Sequence, residues 1–298
     1  MKITNLYNLP SVFQRFDQSR QYSSGGSKYS VTSLIDSPRI RRLRAEYADD
    51  TEEDISGKIF SILGTAVHAI LEEGADEDQV VEERFFADIE TSNGTVSVSG
   101  QVDLQTPAGP GMILSDYKTT GAYAIQSNPG GKPEHIKQLN LYGALARANG
   151  VKVSGLEVIA IVRDWSASGL KRSSDYPVAP IVRIPIEMWD EQEADSYLKD
   201  RVLAHEASDL PECTPQEMWA RPPVFALYER TKSGELRKRA TRLFDNMTEA
   251  EDKSLDITGS EVVARPRTLT RCEGNYCNVS QFCEQFAEIK RGENNERN

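Results

Sequence analysis

Two short segments carry acids and a lysine at spacings that could work together: Gly100-Gln101-Val102-Asp103-Leu104, and Asp116-Tyr117-Lys118. Both lie in stretches of strand character, and alternate side chains of a strand share a face, so Asp116 and Lys118 project together. If the two strands pair, Asp103 lies beside Asp116. Two converging carboxylates repel unless a cation holds them, and hard oxygen ligands suit Mg²⁺ or Mn²⁺. An ion held there polarises a phosphodiester and lowers the pKa of an attacking water. The lysine would orient that water or stabilise charge on the phosphate.

Other segments can add to this set. Gln138-x-x-x-Tyr142 puts two polar groups on one helical face, with His135 three residues earlier on the same face. His68 sits in the helical pattern Ile59–Glu73, which reads as a largely buried helix. Glu82 or Glu83, on the strand pattern before Asp103, could also face the site, and periodicity does not choose between them.

The order Gly64-Thr65-Ala66-Val67-His68, Gly100-x-x-Asp103, Asp116-x-Lys118, Gln138-x-x-x-Tyr142 resembles the RecB-like branch of the PD-(D/E)XK nucleases. That branch includes the nuclease domains of AddB-type helicase-nucleases and the CRISPR adaptation exonucleases, and the chain looks most similar to its stand-alone phage and prophage members. The motifs span roughly residues 60–165. The resemblance implies a metal-dependent deoxyribonuclease, with an exonuclease expected and a structure-specific endonuclease as the alternative. It implies phage recombination, replication or DNA degradation in a bacterial host, with DNA and phage recombination or replication proteins as partners. It assigns His68, Asp103, Asp116 and the Tyr117 carbonyl to the metal, Lys118 to the nucleophilic water, and Gln138 and Tyr142 to positioning the lysine or DNA. The rival from another class is a non-catalytic DNA-binding or assembly protein on the same fold.

Four cysteines, Cys213, Cys272, Cys277 and Cys283, include three close to the C-terminus. Clustered thiols in a reducing compartment suggest metal or Fe–S ligation sooner than disulfides. They resemble the Fe–S-stapled members of this branch, with one departure: Ser37-Pro38 stands where those enzymes carry an upstream cysteine. A [4Fe–4S] cluster, a tetrahedral Zn²⁺ and plain buried thiols all remain open.

The elements that must position these groups read as an α/β fold. Helix Val31–Tyr47 is followed by helix Ile59–Glu73 and a hairpin, Val80–Glu90 and Gly94–Leu104, turning at Asn93-Gly94. Strand Met112–Tyr117, helix His135–Ala148, strands Leu156–Trp165 and Ile181–Ile186 and helix Met188–His205 complete it. The expected architecture is a restriction-endonuclease-like core with a mixed central sheet flanked by helices. Residues 1–30 read as a loose arm, 31–206 as the core, and 207–298 as a small Cys-containing extension. A net charge of −11 argues against a generic polyanion binder. Basic residues nonetheless crowd Arg39–Arg44 and Arg230–Arg242, and aromatic and basic residues interleave through Trp219, Arg221, Phe225, Tyr228 and Arg230. No apolar run approaches the roughly 20 residues of a membrane span, and the start has no secretory layout. A cytoplasmic location is the expectation.

Overall fold

The computed structural model describes residues 2–19 and 24–295. The chain divides into two compact units, residues 1–41 with 52–211 and residues 42–51 with 212–298. The boundary near 211 lies five residues beyond the expected 206. The expected arm is no loose appendage. It supplies β1 (Lys2–Thr4), α1 (Ser11–Ser19) and β2 (Tyr29–Ser30), and β1 pairs in parallel with β3 (Glu52–Asp54). The Asp54 carboxylate accepts from the Leu6 amide at 2.7 Å, which ties the turn after β1 to that strand.

The single helix expected over Val31–Tyr47 is two, α2 (Val31–Ile35) and α3 (Pro38–Glu46). Pro38 lacks an amide donor and pushes Ser37 out of helical geometry, so the first helix stops before it. Ser30 and Ser33 form a capping box on α2. Arg201 and His205 then satisfy the carbonyls of Leu34 and Asp36 that the break exposes.

The first unit is built on a six-stranded mixed sheet with helices against it. After α4 (Ile59–Glu72) come β4 (Val80–Thr91), β5 (Gly94–Ala108), β6 (Gly111–Thr120), α5 (Ala122–Gln126) and α6 (Pro133–Ala148). β7 (Val153–Val162), α7 (Ala167–Leu170), β8 (Ile181–Ile186) and α8 (Glu191–Glu206) complete it. The order is β2-β5-β6-β7-β8, with β4 pairing β5. Strand pairs β4/β5, β5/β6 and β7/β8 are antiparallel, and β2/β5 and β6/β7 are parallel. β5 is long enough to use both edges. Val98 pairs with Ala87 and Tyr29, and Leu104 pairs with Val81 and Ser115. On the edge away from β4, Ser99 still pairs with Ser30, and from Gly100 to Asp103 that edge has no ladder partner among the described residues.

α6 is the central helix. Gln138 through Ala146 are all buried, so its apolar residues run round the cylinder and form no single stripe. Leu139, Leu141 and Leu145 join Leu34, Val98, Val102 and Leu114 in one core. α4 departs from expectation: none of its residues is buried, and Ile59, Phe60, Leu63 and Ile70 are exposed. Its apolar periodicity predicts burial, but its inner face borders a cleft, so no residue is fully enclosed. Contrary to the expectation that no apolar run approaches a membrane span, the stretch Ile55–Glu72 averages a hydropathy of 1.2 over 18 residues and is long and apolar enough to cross a membrane by length and composition alone.

The second unit holds β9 (Ala220–Arg221), β10 (Val224–Tyr228), β11 (Arg242–Phe244), α9 (Met247–Leu255), β12 (Glu261–Arg265), β13 (Thr268–Leu269), α10 (Thr270–Glu273) and α11 (Glu284–Asn295). β10 lies between β11 and β12, and β9 pairs β13. Leu227, Phe244 and Ala250 form its small core.

Candidate active site

The β5/β6 ladder ends at Leu104↔Ser115, so Asp103 and Asp116 occupy the next opposed positions, where the strands part. There the Tyr117 amide donates to Asp103 Oδ2 at 2.8 Å in place of a ladder bond. On the other edge of β5 the registers Val81↔Leu104 and Glu83↔Val102 leave Glu82 opposite Asp103, and that pair is absent from the ladder. Glu82 has φ +53°, a left-handed conformation that glutamate rarely adopts. Its side chain turns toward the site and accepts from Gln101 Nε2 at 2.7 Å. Glu83 is bonded instead to Gln105. The choice that periodicity left open therefore falls on Glu82.

His68 reaches this point from α4. Its Nδ1 lies 3.5 Å from Asp103 Oδ1 and 3.8 Å from Glu82 Oε1, and its Nε2 lies 3.2 Å from the Tyr117 carbonyl oxygen. One donor atom each from His68, Glu82 and Asp103 falls within 4.8 Å of the others, a spacing that one ion can bridge. Asp116 is not in that tight group. Its Oδ2 is 2.5 Å from Lys118 Nζ, without hydrogen-bond angles. The expected sharing of an ion by Asp103 and Asp116 therefore needs Asp116 to change its partner. The Lys118 ammonium is the positive charge set against Asp116. All five side chains line one open cleft of about 500 Å³.

Burial and the nearby charge of Asp116 push the Asp103 carboxyl up to about 7. A hydrogen bond to Glu82 raises His68, against an opposing effect of burial, and Asp103 adds to the rise. The Asp103 carboxyl and the His68 imidazole therefore hold protons more readily than usual, and a divalent cation at this point would displace them. His135, on the α6 face with Gln138, is pushed down to about 4 by burial and by Lys118. It is a neutral neighbour to the lysine.

Gln138 and Tyr142 border the same cleft, at 7% and 5% exposure, and Gln138 Nε2 donates to the Tyr142 hydroxyl at 2.8 Å. Their helix explains the glycine of Gly100-x-x-Asp103. A Cβ at Gly100 would meet the Tyr142 ring at 2.7 Å and Leu145 at 3.0 Å. Gly100→Ala should therefore cost about 1–3 kcal/mol through overpacking. Thermal melting checks this, and an unchanged Tm would show that α6 yields freely.

The four cysteines all belong to the second unit, and none is in a disulfide among the described residues. Burial and the neighbouring Cys277 and Cys283 push Cys272 up to about 11, and burial raises Cys277. Tetrahedral zinc, with Zn–S of about 2.3 Å, needs sulfurs about 3.8 Å apart. No three of these thiols are so close among the described residues. Cys213 is buried, and its backbone is bonded on both sides by the Gln285 amide. The Arg39–Arg44 run is largely structural: Arg39 binds the Leu210 and Pro211 carbonyls, and Arg41 stacks on Tyr29.

No protein-family profile matches the chain, and no curated protein matches it. Among solved structures, "Crystal structure of SSO0001" superposes at a TM-score of 0.47 and 18% identity, over 70% of this chain and 87% of that one.

Proposed function

We propose that this chain is a divalent-metal-dependent deoxyribonuclease of the PD-(D/E)XK type, RecB-like branch, acting as an exonuclease. The observation that carries this reading is the meeting of His68, Glu82 and Asp103 within reach of one ion, in the cleft that also holds Asp116 and Lys118. Those residues come from a helix and three strands far apart in sequence. A purely structural role gives no reason for four acids, Glu72, Glu82, Asp103 and Asp116, to share a cleft with one lysine.

The donor set, carboxylate oxygens with one imidazole, fits Mg²⁺ or Mn²⁺. His68, Asp103 and Asp116 would hold the ion with the Tyr117 carbonyl, and Glu82 joins them. When bound, the ion supplies Lewis-acid activation of the phosphodiester and of water. Lys118, released from Asp116, holds the water or meets the charge on the phosphate. Gln101 fixes the Glu82 carboxylate, and the Gln138–Tyr142 pair braces the cleft wall. The proposed setting is a bacterial host's cytoplasm, in phage recombination, replication or DNA degradation.

The deciding assay uses end-labelled single- and double-stranded DNA, with circular controls, in Mg²⁺, Mn²⁺ or EDTA. Cutting of linear DNA alone supports an exonuclease, and cutting of circles an endonuclease. Binding that EDTA leaves unaltered, with no cutting in any metal, would favour the non-catalytic DNA-binding reading. Glu82→Gln keeps the bond from Gln101 while removing a charge. It should weaken Mn²⁺ binding about tenfold by calorimetry, and excess Mn²⁺ should restore part of the activity. Unchanged Mn²⁺ affinity would take Glu82 out of the ligand set.

Cys213, Cys272, Cys277 and Cys283 are proposed to hold a [4Fe–4S] cluster, with Zn²⁺ as the alternative. Their support is their shared unit and the mutual influence of the last three thiols. Anaerobically purified protein should carry iron and a visible thiolate-to-iron absorption band. Zinc alone, or no metal in a folded chain, rejects the cluster.

A further inference from the structure

We infer that the second unit carries its own surface for single-stranded DNA, built from the exposed Trp219–Tyr276 pair and a basic ribbon. The choice of DNA as the polyanion rests on the nuclease reading; the surface does not use the metal site. Trp219 and Tyr276 are 47% and 61% exposed, with ring centroids 5.3 Å apart and planes tilted by 49°. Arg271 lies 5.4 Å over the Trp219 ring. Two large aromatics held in water next to a guanidinium gain little from burial. Trp219 also has φ +50°, a strained conformation for a bulky residue. Gly274 leaves room for the Tyr276 ring, which a Cβ there would meet at 2.7 Å.

A ribbon leads away from this platform. The antiparallel pairs β9/β13 and β10/β12 follow one another along the same two segments, with Pro222-Pro223 and Pro266-Arg267 between them. At the far end Glu229–Arg237 folds back as a hairpin, with Arg230 bridged to Leu236. From Trp219 to there is about ten residues, roughly 30 Å at strand rise. Residues 219–242 hold seven Arg or Lys against two acids, in a chain of net charge −11. Some of these cations are committed. Arg230 holds the Gly259 and Gly234 carbonyls, Arg237 lies 3.8 Å from Glu229, and Arg242 stacks on Phe244; on the neighbouring strand Arg265 holds the Tyr228 hydroxyl. Phe225 packs on the small core, so it is no platform. Arg221, Lys232, Lys238 and Arg239 are exposed and have no side-chain partner among the described residues.

Free cations along a ribbon would follow a phosphate backbone, and aromatic faces accept bases of any identity. In a duplex the base faces are already stacked, so the platform serves only unpaired bases. This favours a single strand over a duplex, and over an acidic protein, which has no bases to stack.

Anisotropy of labelled dT₂₀ and of a 20-base-pair duplex, measured with the full chain in EDTA, tests this. The wild type should bind dT₂₀ more tightly than the duplex. Trp219→Ala with Tyr276→Ala should weaken dT₂₀ binding about tenfold or more and duplex binding less than twofold. Trp219→Phe should retain binding, and Tyr276→Ala alone guards against disruption of the strained Trp219 loop. Replacing Lys232, Lys238 and Arg239 with Gln should weaken both and lower the single-strand salt slope by about 2. Unchanged dT₂₀ affinity in the aromatic variants overturns the inference. So does displacement of labelled dT₂₀ by polyglutamate as effective as by unlabelled dT₂₀. Cleavage by the wild type is scored separately. DNA cutting with unimpaired binding by the aromatic variants removes this surface alone, and binding without cutting removes the nuclease alone.

Discussion

Lys118→Ala should lower DNA cleavage by about 10²–10³ or more, the scale seen when a positioned charge that meets the transition state is removed. The same change should alter stability in a metal-dependent way. Asp116 is 2% exposed, and its Oδ2 has the Lys118 ammonium as its neutralising neighbour. Removing the lysine leaves a buried carboxylate oxygen without compensation, a cost of about 1–3 kcal/mol. In EDTA the variant should melt lower than wild type by roughly 2–4 °C per kcal/mol. Saturating Mg²⁺ should close most of that gap, because the ion replaces the ammonium beside Asp116. Activity would stay low in the same tube. A lysine with only a structural role would restore activity along with stability, and that outcome would remove Lys118 from the chemistry.

Asp103→Asn should abolish cleavage yet make the metal-free chain more stable at neutral and alkaline pH. Asp103 titrates at about 7 in the folded chain against 3.8 for an ordinary aspartate, chiefly because burial and Asp116 disfavour its charge. Between those two values the folded chain binds more protons than the unfolded chain. Stability from this group therefore falls as pH rises from about 4 to 7, and stays reduced above. Asparagine is permanently neutral and still offers a carbonyl oxygen to the Tyr117 amide, so the penalty disappears. A relief of the order of 1 kcal/mol raises Tm by about 2–4 °C. The gain should be measurable by calorimetry at pH 8 in EDTA and absent at pH 4. Mn²⁺ affinity of the wild type should climb with pH through about 7, as the displaced proton ceases to compete. If the variant is instead less stable at pH 8, the carboxylate is a stabilising partner of His68 and the site is not poised for a cation.

These expectations also mark how far the chain can be read before it folds. Strand and helix periods, the Asn93-Gly94 turn and the breaks at Gly and Pro carry the mixed α/β architecture, because each depends on neighbours a few residues away. The same local rules put Asp116 and Lys118 on one face. Lys118 Nζ duly lies 2.5 Å from Asp116 Oδ2. The kink at Pro38 was equally present in the sequence, as a missing donor and a restricted Ser37, although the segment reads at first as one helix.

What local rules could not decide depends on register and on what lies across the cleft. Glu82 and Glu83 differ by one position, and a strand period assigns them to opposite faces without saying which face is the site. Only the register of β4 on β5 sets Glu82 against Asp103, and only its left-handed backbone turns it inward. The glycine at position 100 has no evident reason until α6 brings the Tyr142 ring onto it. α4 has the periodicity of a buried helix but borders an open cleft, since hydrophobic spacing records which residues share a face and not what covers them. Composition and period thus determined which groups could act and on which elements they ride. Long-range strand pairing and helix packing decided which of them meet, because those contacts join residues whose separation along the chain leaves no periodic trace.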